Sequence, residues 1–355
     1  MFEHRVGILD MLPPELQSFV AALGQPPFRA RQLADWLFRH NVTDFVAMTN
    51  LPRNLREQLA ASAYVLPGQV VAERSSADGL TTKVLLRLRD GQTVESVLLR
   101  QLSAAGEERR SVCLSSQVGC PVGCPFCATG LSGFSRHLSA GEMVGQVLLF
   151  AARVAAEAGR LCPITSVVFM GQGEPLLNLA QTKRAVEILN SPAGFNLGAR
   201  HITISTAGVV PGIRALARWP WQVGLAVSLH AADDDLRSEL VPLNRRYPLP
   251  ELLAACRSYS ETSGRRVTFE YTLLDGVNDG IADARELAAR LRGQLGHVNL
   301  IPLNATPGTA FRPSPRKRVL AFQAELQKLG VPCTVRVERG ADIDAACGQL
   351  RRRAT

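Results

Sequence analysis

The alternation of short apolar runs with amphipathic stretches, from about residue 108 onward, constrains the fold of this chain more than any other feature. One helical stretch runs from Ser139 to Gly159 and opens with a capping box of Ser139 and Glu142. Strands that alternate with helices predict a parallel α/β architecture, although periodicity does not tell whether the sheet closes. The predicted strands are 112–116, 165–170, 201–205, 223–229, 266–273, 296–301 and 332–338.

The composition is that of a globular chain with a strong positive charge. Its 355 residues can bury a substantial core, and the net charge of +9 favours a polyanionic partner. No uncharged apolar run is long enough for a membrane span, so we expect no membrane contact. The amino terminus lacks the pattern of a signal peptide and the eight cysteines are clustered, which together favour the reducing cytoplasm.

Three cysteines stand close together in a loop rich in glycine and proline. Cys120, Cys124 and Cys127 have the spacing Cys-x-x-x-Cys-x-x-Cys. A structural zinc ion needs four ligands, so a zinc site here has to borrow a distant Cys or His. A [4Fe–4S] cluster usually takes four thiolates, so three leave one iron open to another ligand. The spacing leaves both a zinc knuckle and an open cluster possible.

A β-hairpin is predicted over residues 82–99, with Asp90-Gly91 as its turn. A loop of these two residues puts Leu86 opposite Glu95 and places the carboxylate on an apolar face. Desolvation there would raise the pKa of Glu95 and suit it to act as a general base. The alternatives are a one-residue shift that puts Glu95 in water, or an ion pair with an arginine. The apolar residues on the predicted face are Val84, Leu86, Leu88, Val97 and Leu99.

Residues 1–62 are predicted to form a small helical module. Leu33, Trp36 and Leu37 share one helical face, and Pro52 favours the first turn of a further helix. The flanking arginines are either part of a solvated cap or an RNA-docking surface. They are Arg29, Arg31 and Arg39, and a second basic cluster follows Asn244 at Arg245 and Arg246.

Polar residues follow several of the predicted strands, where α/β barrels assemble their active sites. Gly173 and Glu174 come after strand 165–170, and the Glu174 carboxylate can accept hydrogen bonds from an ammonium group. A histidine such as His230, taken alone, is more often structural. The further strand-end residues are Ser205, Ser228, Leu229, His230 and Asn304. Of the remaining cysteines, Cys162, Cys256 and Cys333 are expected to be ordinary buried residues.

Taken together, these motifs resemble the radical S-adenosylmethionine (SAM) superfamily and, within it, the RlmN/Cfr family of RNA adenine methyltransferases. The resemblance covers nearly the whole chain, and the carboxy-terminal Ala-Ala-Cys-Gly-Gln-Leu around Cys347 is its most specific part. Gln172 stands where the family often has methionine, and Ala305 where proline is usual. The other matching motifs are Val94–Val97, Cys113 to Gln117, Gly173–Leu176, Ser228–His230 and Arg339–Leu350.

The resemblance implies a partial (β/α)6 barrel with an amino-terminal helical accessory domain and a β-hairpin extension. The implied domains are 1–62, which binds RNA, 63–107, which carries Glu95, 108–345, the radical SAM core, and 346–355, which carries Cys347. It also implies a [4Fe–4S] cluster on Cys120, Cys124 and Cys127. The residues implied to hold SAM are Gly173, Glu174, Ser205, Ser228, Leu229, His230 and Asn304.

The implied reaction is methylation of carbon 2 of an adenine in 23S rRNA and in the tRNA anticodon loop, using two SAM molecules. Cys347 carries the methyl group, Glu95 accepts the ring proton, and Cys113 releases the product through a transient disulfide with Cys347. We expect a monomer that receives electrons from a flavodoxin or ferredoxin. Two alternatives stay open: Cfr-like methylation of carbon 8, and a non-catalytic, metal-stapled RNA-binding protein.

Overall fold

The computed structural model begins with a small helical module at the amino terminus. It describes residues 5–102, 106, 108–159, 161, 163–304, 308–336, 340–345 and 349. Leu33 and Leu37 are fully buried, which confirms the predicted apolar face, and Trp36 is half-buried beside them. Pro52 lies just before the third helix rather than inside its first turn. The module comprises α1 (Pro13–Ala22), α2 (Phe28–Ala34), α3 (Arg53–Ser62) and the paired short strands β1 (Val6–Gly7) and β2 (Ala63–Tyr64).

A continuous sheet of ten strands forms the centre of the described chain. Its order is β14-β13-β12-β11-β10-β9-β6-β5-β4-β3, so it is open, with β14 and β3 at its edges. Two further strands, β7 (Gln117–Gly119) and β8 (Phe134–His137), pair with each other. The ten strands are β3 (Gly68–Ser75), β4 (Thr81–Leu88), β5 (Thr93–Leu102), β6 (Glu108–Cys113), β9 (Ser166–Phe169), β10 (Ile202–Thr206), β11 (Gly224–Ser228), β12 (Val267–Leu273), β13 (Gly296–Pro302) and β14 (Cys333–Val335).

The strands from β6 and β9 to β14 all run parallel, as the alternation of strands and helices predicts. The strands β3, β4 and β5 extend this parallel part as an antiparallel meander. In the described chain no helix is both apolar and long enough to cross a bilayer. The helices of the parallel part are α4 (Ala128–Leu131), α5 (Ala140–Ala158), α6 (Leu179–Asn190), α7 (Val210–Leu216), α8 (Asp234–Leu240), α9 (Leu249–Ser263), α10 (Ile281–Arg290) and α11 (Arg316–Lys328).

Helix α5 connects the parallel sheet to the amino-terminal module. The predicted capping box is present, since Ser139 Oγ accepts from the Glu142 amide and Glu142 Oε2 accepts from the Ser139 amide. Asp10 of the module reaches the same helix end, where its Oδ1 accepts from the Gly141 amide at 2.6 Å. The Asp10 carbonyl also accepts from Arg184 Nε at 2.6 Å. These contacts fasten the module to both α5 and α6.

The register of the hairpin β4–β5 differs by one residue from the prediction. Leu85, not Leu86, lies opposite Glu95. The turn is longer than two residues, because the Leu88 amide donates to the Gln92 carbonyl at 2.7 Å and leaves residues 89–91 as the loop. Gly91 has φ +83°, as a three-residue hairpin loop requires. The shift exchanges the predicted neighbours Val84, Leu86 and Leu88 for Lys83 and Leu85 on the face that carries Glu95.

Candidate active site

The cysteine loop begins directly after β7 and is held against β8. The Cys120 amide donates to the Gly133 carbonyl at 2.9 Å, and the Cys127 amide donates to the Cys124 carbonyl at 3.2 Å. Gly119 has φ +76°, and a Cβ at this position would lie 1.9 Å from the Gly133 oxygen. Only glycine therefore allows the loop to turn this close to its partner strand.

The three thiols of this loop suit an iron–sulfur cluster. Burial raises the pKa of Cys120 to about 12, and burial together with Cys127 and Cys120 raises the pKa of Cys124 well above its ordinary value. These neighbouring thiolates need cationic ligation to stay charged. In the described chain no three Cys, His, Asp or Glu side chains gather closely enough to hold a single metal ion. A cluster has no such requirement, since each thiolate binds a different iron.

A cavity of about 230 Å³ lies at the carboxyl ends of the parallel strands. Ten of the predicted site residues line it, so the structure brings them together: Cys113, Cys120, Cys124, Cys127, Gly173, Glu174, Ser205, Ser228, His230 and Asn304. Leu229 is buried next to the cavity, where its amide donates to the Glu270 carbonyl at 2.9 Å. Glu95 is not among the described lining residues. Cys347 and Cys162 lie outside the described residues.

Glu174 is buried, with only 3% of its surface exposed. Its Oε1 accepts from the Leu176 amide at 3.0 Å and its Oε2 from the Ala207 amide at 2.6 Å. Burial raises its pKa to about 7, against the opposing effect of these hydrogen bonds. A cationic group of a ligand in the cavity would stabilise the ionised carboxylate. The position of Glu174 is compatible with the predicted binding of an ammonium group, which stays a prediction.

The residues before Glu174 let the backbone pack tightly against β7. Gly173 has φ +101°, and a Cβ there would lie 2.5 Å from the Cβ of Gln117. The Gln117 Oε1 in turn accepts from the Glu174 amide at 2.8 Å. The side chain of Gln172 is fully buried, and neither its Oε1 nor its Nε2 has a partner in the described part of the chain. A buried amide without hydrogen-bond partners costs stability, so this glutamine destabilises the loop.

His230 is a neutral imidazole in the cavity wall. Its Nδ1 accepts a hydrogen bond from the Thr272 amide at 3.0 Å, so the proton of the neutral ring is on Nε2. Burial, with a smaller effect of Arg237, lowers its pKa to about 3. Its ring packs edge-on against Phe126 of the cysteine loop, with 5.0 Å between centroids. The residue therefore joins the cysteine loop to the strand ends and offers a hydrogen-bond donor.

Arg237, which no sequence pattern singled out, is fully buried. Its guanidinium donates to the carbonyls of Ala207 (2.7 Å), Ser228 (3.0 Å) and Leu229 (3.0 Å). It also donates to Asn244 Oδ1 at 2.7 Å. Arg237 thus ties together the ends of β10 and β11, and Asn244 belongs to this buried network. Arg245 and Arg246 are exposed, and their predicted contact with phosphates stays a prediction.

Two further charged residues of the cavity wall, Glu270 and Arg336, were also missed. Glu270 Oε2 accepts from Asn299 Nδ2 at 2.9 Å. Burial raises the pKa of Glu270, and Arg336 acts in the opposite direction. The position of a carboxylate within the apolar predicted strand 266–273 could have pointed to Glu270. Nothing in the local pattern pointed to Arg336. By contrast, Cys256 and Cys333 are buried, as expected.

Glu95 is buried but is not the isolated carboxylate that the predicted register implied. It is 7% exposed, and its Oε1 lies 3.0 Å from Lys83 Nζ. An ion pair was one of the alternatives, although the cation is a lysine and not an arginine. Val97 lies opposite both Lys83 and Cys113, so these side chains share one face with Glu95. The face is continuous with the cavity wall, which Val97 and Cys113 line.

Comparison with known proteins decides the family. Residues 6–65 match the model of the ribosomal RNA large subunit methyltransferase N-terminal domain, and residues 114–288 match the Radical SAM superfamily. A probable dual-specificity RNA methyltransferase RlmN from Moorella thermoacetica is 47% identical over 348 residues, which cover 98% of this chain and 97% of that protein. The chain belongs to the RlmN family of radical SAM methyltransferases. A relative of the same description from Symbiobacterium thermophilum is 48% identical over 96% of this chain and 90% of its own length.

A solved structure agrees over the full length of the fold. The radical SAM methyltransferase from Sphaerobacter thermophilus has a TM-score of 0.93 and 53% identity, covering 98% of this chain and 100% of that one. The expected radical SAM fold is therefore confirmed. Membership of the superfamily implies a [4Fe–4S] cluster and SAM as the cofactors. Because the family is one of methyltransferases, the alternative of a non-catalytic, metal-stapled protein finds no support.

Proposed function

We propose that this enzyme methylates carbon 2 of an adenine in 23S rRNA and in the anticodon loop of tRNA, with Cys347 as the methyl carrier. An RNA substrate is supported by the relatives described as dual-specificity RNA methyltransferases. The net charge of +9 agrees with a polyanionic substrate. The adenine has to leave its stack to reach a cavity of this kind, so an accessible loop is the expected target.

The observation that carries the proposal is the convergence of three groups of residues on one cavity. The thiols of the cysteine loop, the SAM-binding candidates at the strand ends and Cys113 all line it. Ala345 lines it as well, and the sequence reaches Cys347 two residues later. A cluster, a methyl donor and a methyl carrier are therefore supported at the same place.

The chemistry of the target explains why cysteines are needed. Carbon 2 of adenine is electron-poor, so it does not attack the methyl group of SAM directly. When bound to Cys120, Cys124 and Cys127, the cluster supplies the electron for reductive cleavage of SAM. Glu174 binds the amino group of SAM, and Gly173 lets the backbone approach it.

The carrier and its partners then perform the transfer. The Cys347 thiolate attacks the methyl group of one SAM, which leaves as S-adenosylhomocysteine. Reductive cleavage of the second SAM would remove one hydrogen atom from the methyl group on Cys347, so that this carbon can bond to carbon 2. Glu95 then accepts the proton lost from carbon 2, and the one surplus electron of the adduct would pass to the oxidised cluster. The Cys113 thiolate attacks the sulfur of Cys347, which forms a disulfide and breaks the bond between that sulfur and the methyl carbon. The product carbon takes up a proton as the methylated base leaves.

The test is mass spectrometry of nucleosides from a deletion strain that carries plasmid-borne variants. Deletion should remove 2-methyladenosine from rRNA and tRNA, and the wild-type gene should restore it. Cys347→Ala should not restore it, and Cys113→Ala should instead accumulate a protein–RNA crosslink. Cys256→Ala, a buried cysteine of α9, is the matched control and should restore methylation.

Each alternative result has a definite reading. Loss of 8-methyladenosine would assign the enzyme to carbon 8. Loss from rRNA alone would remove tRNA from the proposal. An active Cys347→Ala variant, or a nucleoside profile that deletion leaves unaltered, would refute the proposed function.

A further inference from the structure

Lys83 is a buried lysine that connects the hairpin with the carboxy-terminal segment. Its residue is 8% exposed, in the middle of β4. Its Nζ lies 3.0 Å from Glu95 Oε1 and donates to the Asp344 carbonyl at 3.0 Å. Lysine is almost never buried unless it is paired, and here one ammonium group serves two partners from distant parts of the sequence.

The carboxy-terminal segment Gly340–Ala345 packs on the face of the hairpin that carries Lys83. The Ala77 amide donates to Asp342 Oδ2 at 2.9 Å. At Gly340 a Cβ would lie 2.6 Å from Thr81 Cγ2, so the backbone is in close contact with the start of β4. Ile343 and Ala345 form a small apolar cluster with Val97, against which Leu99 and Cys113 pack. The segment is therefore docked at several points just before it reaches the cavity wall.

Stability alone does not require a lysine at this position. A buried ion pair costs desolvation of both charges, and replacing it with apolar residues of similar volume is often neutral or stabilising. Val97 and Leu85 already supply an apolar environment on this face. An ammonium group is nevertheless placed where it contacts the candidate base and the main chain that leads to the candidate methyl carrier.

We propose that Lys83 is a positioning residue, which holds the Glu95 carboxylate and the segment leading to Cys347 in one fixed arrangement for proton removal from the methylated ring. The inference rests on the proposed function, because it needs Glu95 as the proton acceptor and Cys347 as the carrier. Lys83 does not itself touch the substrate. It acts through the position of the carboxylate and of the docked segment.

The experiment uses the full-length enzyme with its cluster, reduced with dithionite, together with an RNA fragment that the wild type methylates. Lys83→Met removes both contacts of the ammonium, and Lys83→Gln keeps a donor for the Asp344 carbonyl but no charge. Glu95→Gln is the reference for a missing base. Asp342→Ala weakens the docking of the segment and leaves the Lys83–Glu95 pair in place. Four quantities are measured: iron content, SAM cleavage, methylation of Cys347 by peptide mass, and RNA products.

Lys83→Met and Lys83→Gln should keep the iron content and SAM cleavage of the wild type. Both should methylate RNA about 100-fold more slowly, since displacement of a catalytic group by about 1 Å costs this much. Both should also accumulate the protein–RNA adduct, as Glu95→Gln does, because proton removal fails after the carbon–carbon bond has formed. Lys83→Met, which also loses the contact with the Asp344 carbonyl, should in addition slow the methylation of Cys347, whereas Lys83→Gln should not. Asp342→Ala should slow the methylation of Cys347 without accumulating the adduct. Lys83→Arg, which restores the cation, should recover part of the rate.

Several results would overturn the inference. Wild-type rates in Lys83→Met would do so. An equal loss of iron, SAM cleavage and methylation in both Lys83 variants would assign Lys83 a purely structural role. If Glu95→Gln is itself active, the proposed base is wrong. If Glu95→Gln accumulates the protein–RNA adduct and the Lys83 variants do not, only the present inference fails.

Discussion

The buried carboxyl of Glu174 should make the stability of the cofactor-free enzyme depend on pH. Its pKa is raised from 4.5 to about 7, so between these values the unfolded chain releases a proton that the folded chain keeps. The contribution of this group to the free energy of unfolding is fully present below pH 4.5 and is lost as the pH rises through 7. The difference between the pKa values of the folded and unfolded states, at 1.36 kcal/mol for each pKa unit, corresponds to about 3 kcal/mol.

Glu174→Gln isolates this contribution. The amide has no proton to keep, so the dependence on pH disappears in the variant. One of the two backbone amides that donate to the carboxylate, those of Leu176 and Ala207, then faces an NH₂ group. That mismatch costs about 1–3 kcal/mol but does not depend on pH. The free energy of unfolding of the wild type minus that of the variant should therefore fall by about 2–3 kcal/mol from pH 5 to pH 8. This fall does not depend on the constant cost of the mismatch.

The assay is urea unfolding of the cluster-free, reduced protein, followed by tryptophan fluorescence at several pH values from 5 to 8. Glu57→Gln, which removes an exposed carboxylate from α3, controls for the loss of one charge. If the free energies of unfolding of the wild type and of Glu174→Gln differ by a constant amount over this pH range, the reasoning is refuted. Added SAM should stabilise the wild type more than the variant at pH 8, because its ammonium group offsets the cost of the carboxylate.

Two further substitutions test the surroundings of the cavity by the same unfolding assay. Arg237→Met should lower the free energy of unfolding by about 3–5 kcal/mol, because four acceptors around the buried guanidinium lose their donor and each unsatisfied one costs about 1 kcal/mol or more. The exposed Arg39→Met, which loses an ion pair with Asp35, should cost at most about 1 kcal/mol. Gln172→Met should raise the free energy of unfolding by about 1 kcal/mol or more, since an apolar side chain of similar volume has no buried amide to satisfy. A loss of stability in Gln172→Met would show that the amide is satisfied by an ordered water.

The parallel part of the fold was predictable because its signals are local. The strand that precedes Gly173 and the helix that Ser139 caps each depend on a few neighbouring residues. The carboxyl ends of parallel strands meet at one edge of a sheet, so the sequence alone places Ser205 and His230 at a common site. The cysteine loop was visible because its spacing is contained within eight residues, but the spacing left both a zinc knuckle and an open cluster possible, and only the resemblance implied the cluster.

The remaining features depend on contacts that local patterns do not contain. The register of β4–β5 followed from a three-residue loop where the sequence favoured two, and this exchanged the neighbours of Glu95. The partner of Glu95 then proved to be Lys83, whose burial depends on the segment near residue 344, 261 positions away. Arg237 could not be singled out among many arginines, because its role lies in the carbonyls around it.

The contacts of Asp10 have a consequence for the choice of substrate. The aspartate belongs to the amino-terminal module, yet it binds the first turn of α5 and the side chain of Arg184 on α6. These contacts hold the module against the helices that flank the cavity-forming sheet. Any RNA segment held by the module is therefore presented at a set distance from the reacting adenine. If the module binds RNA, as the sequence predicts, such a geometry would favour targets by the spacing between two parts of an RNA fold, and not by the bases between them.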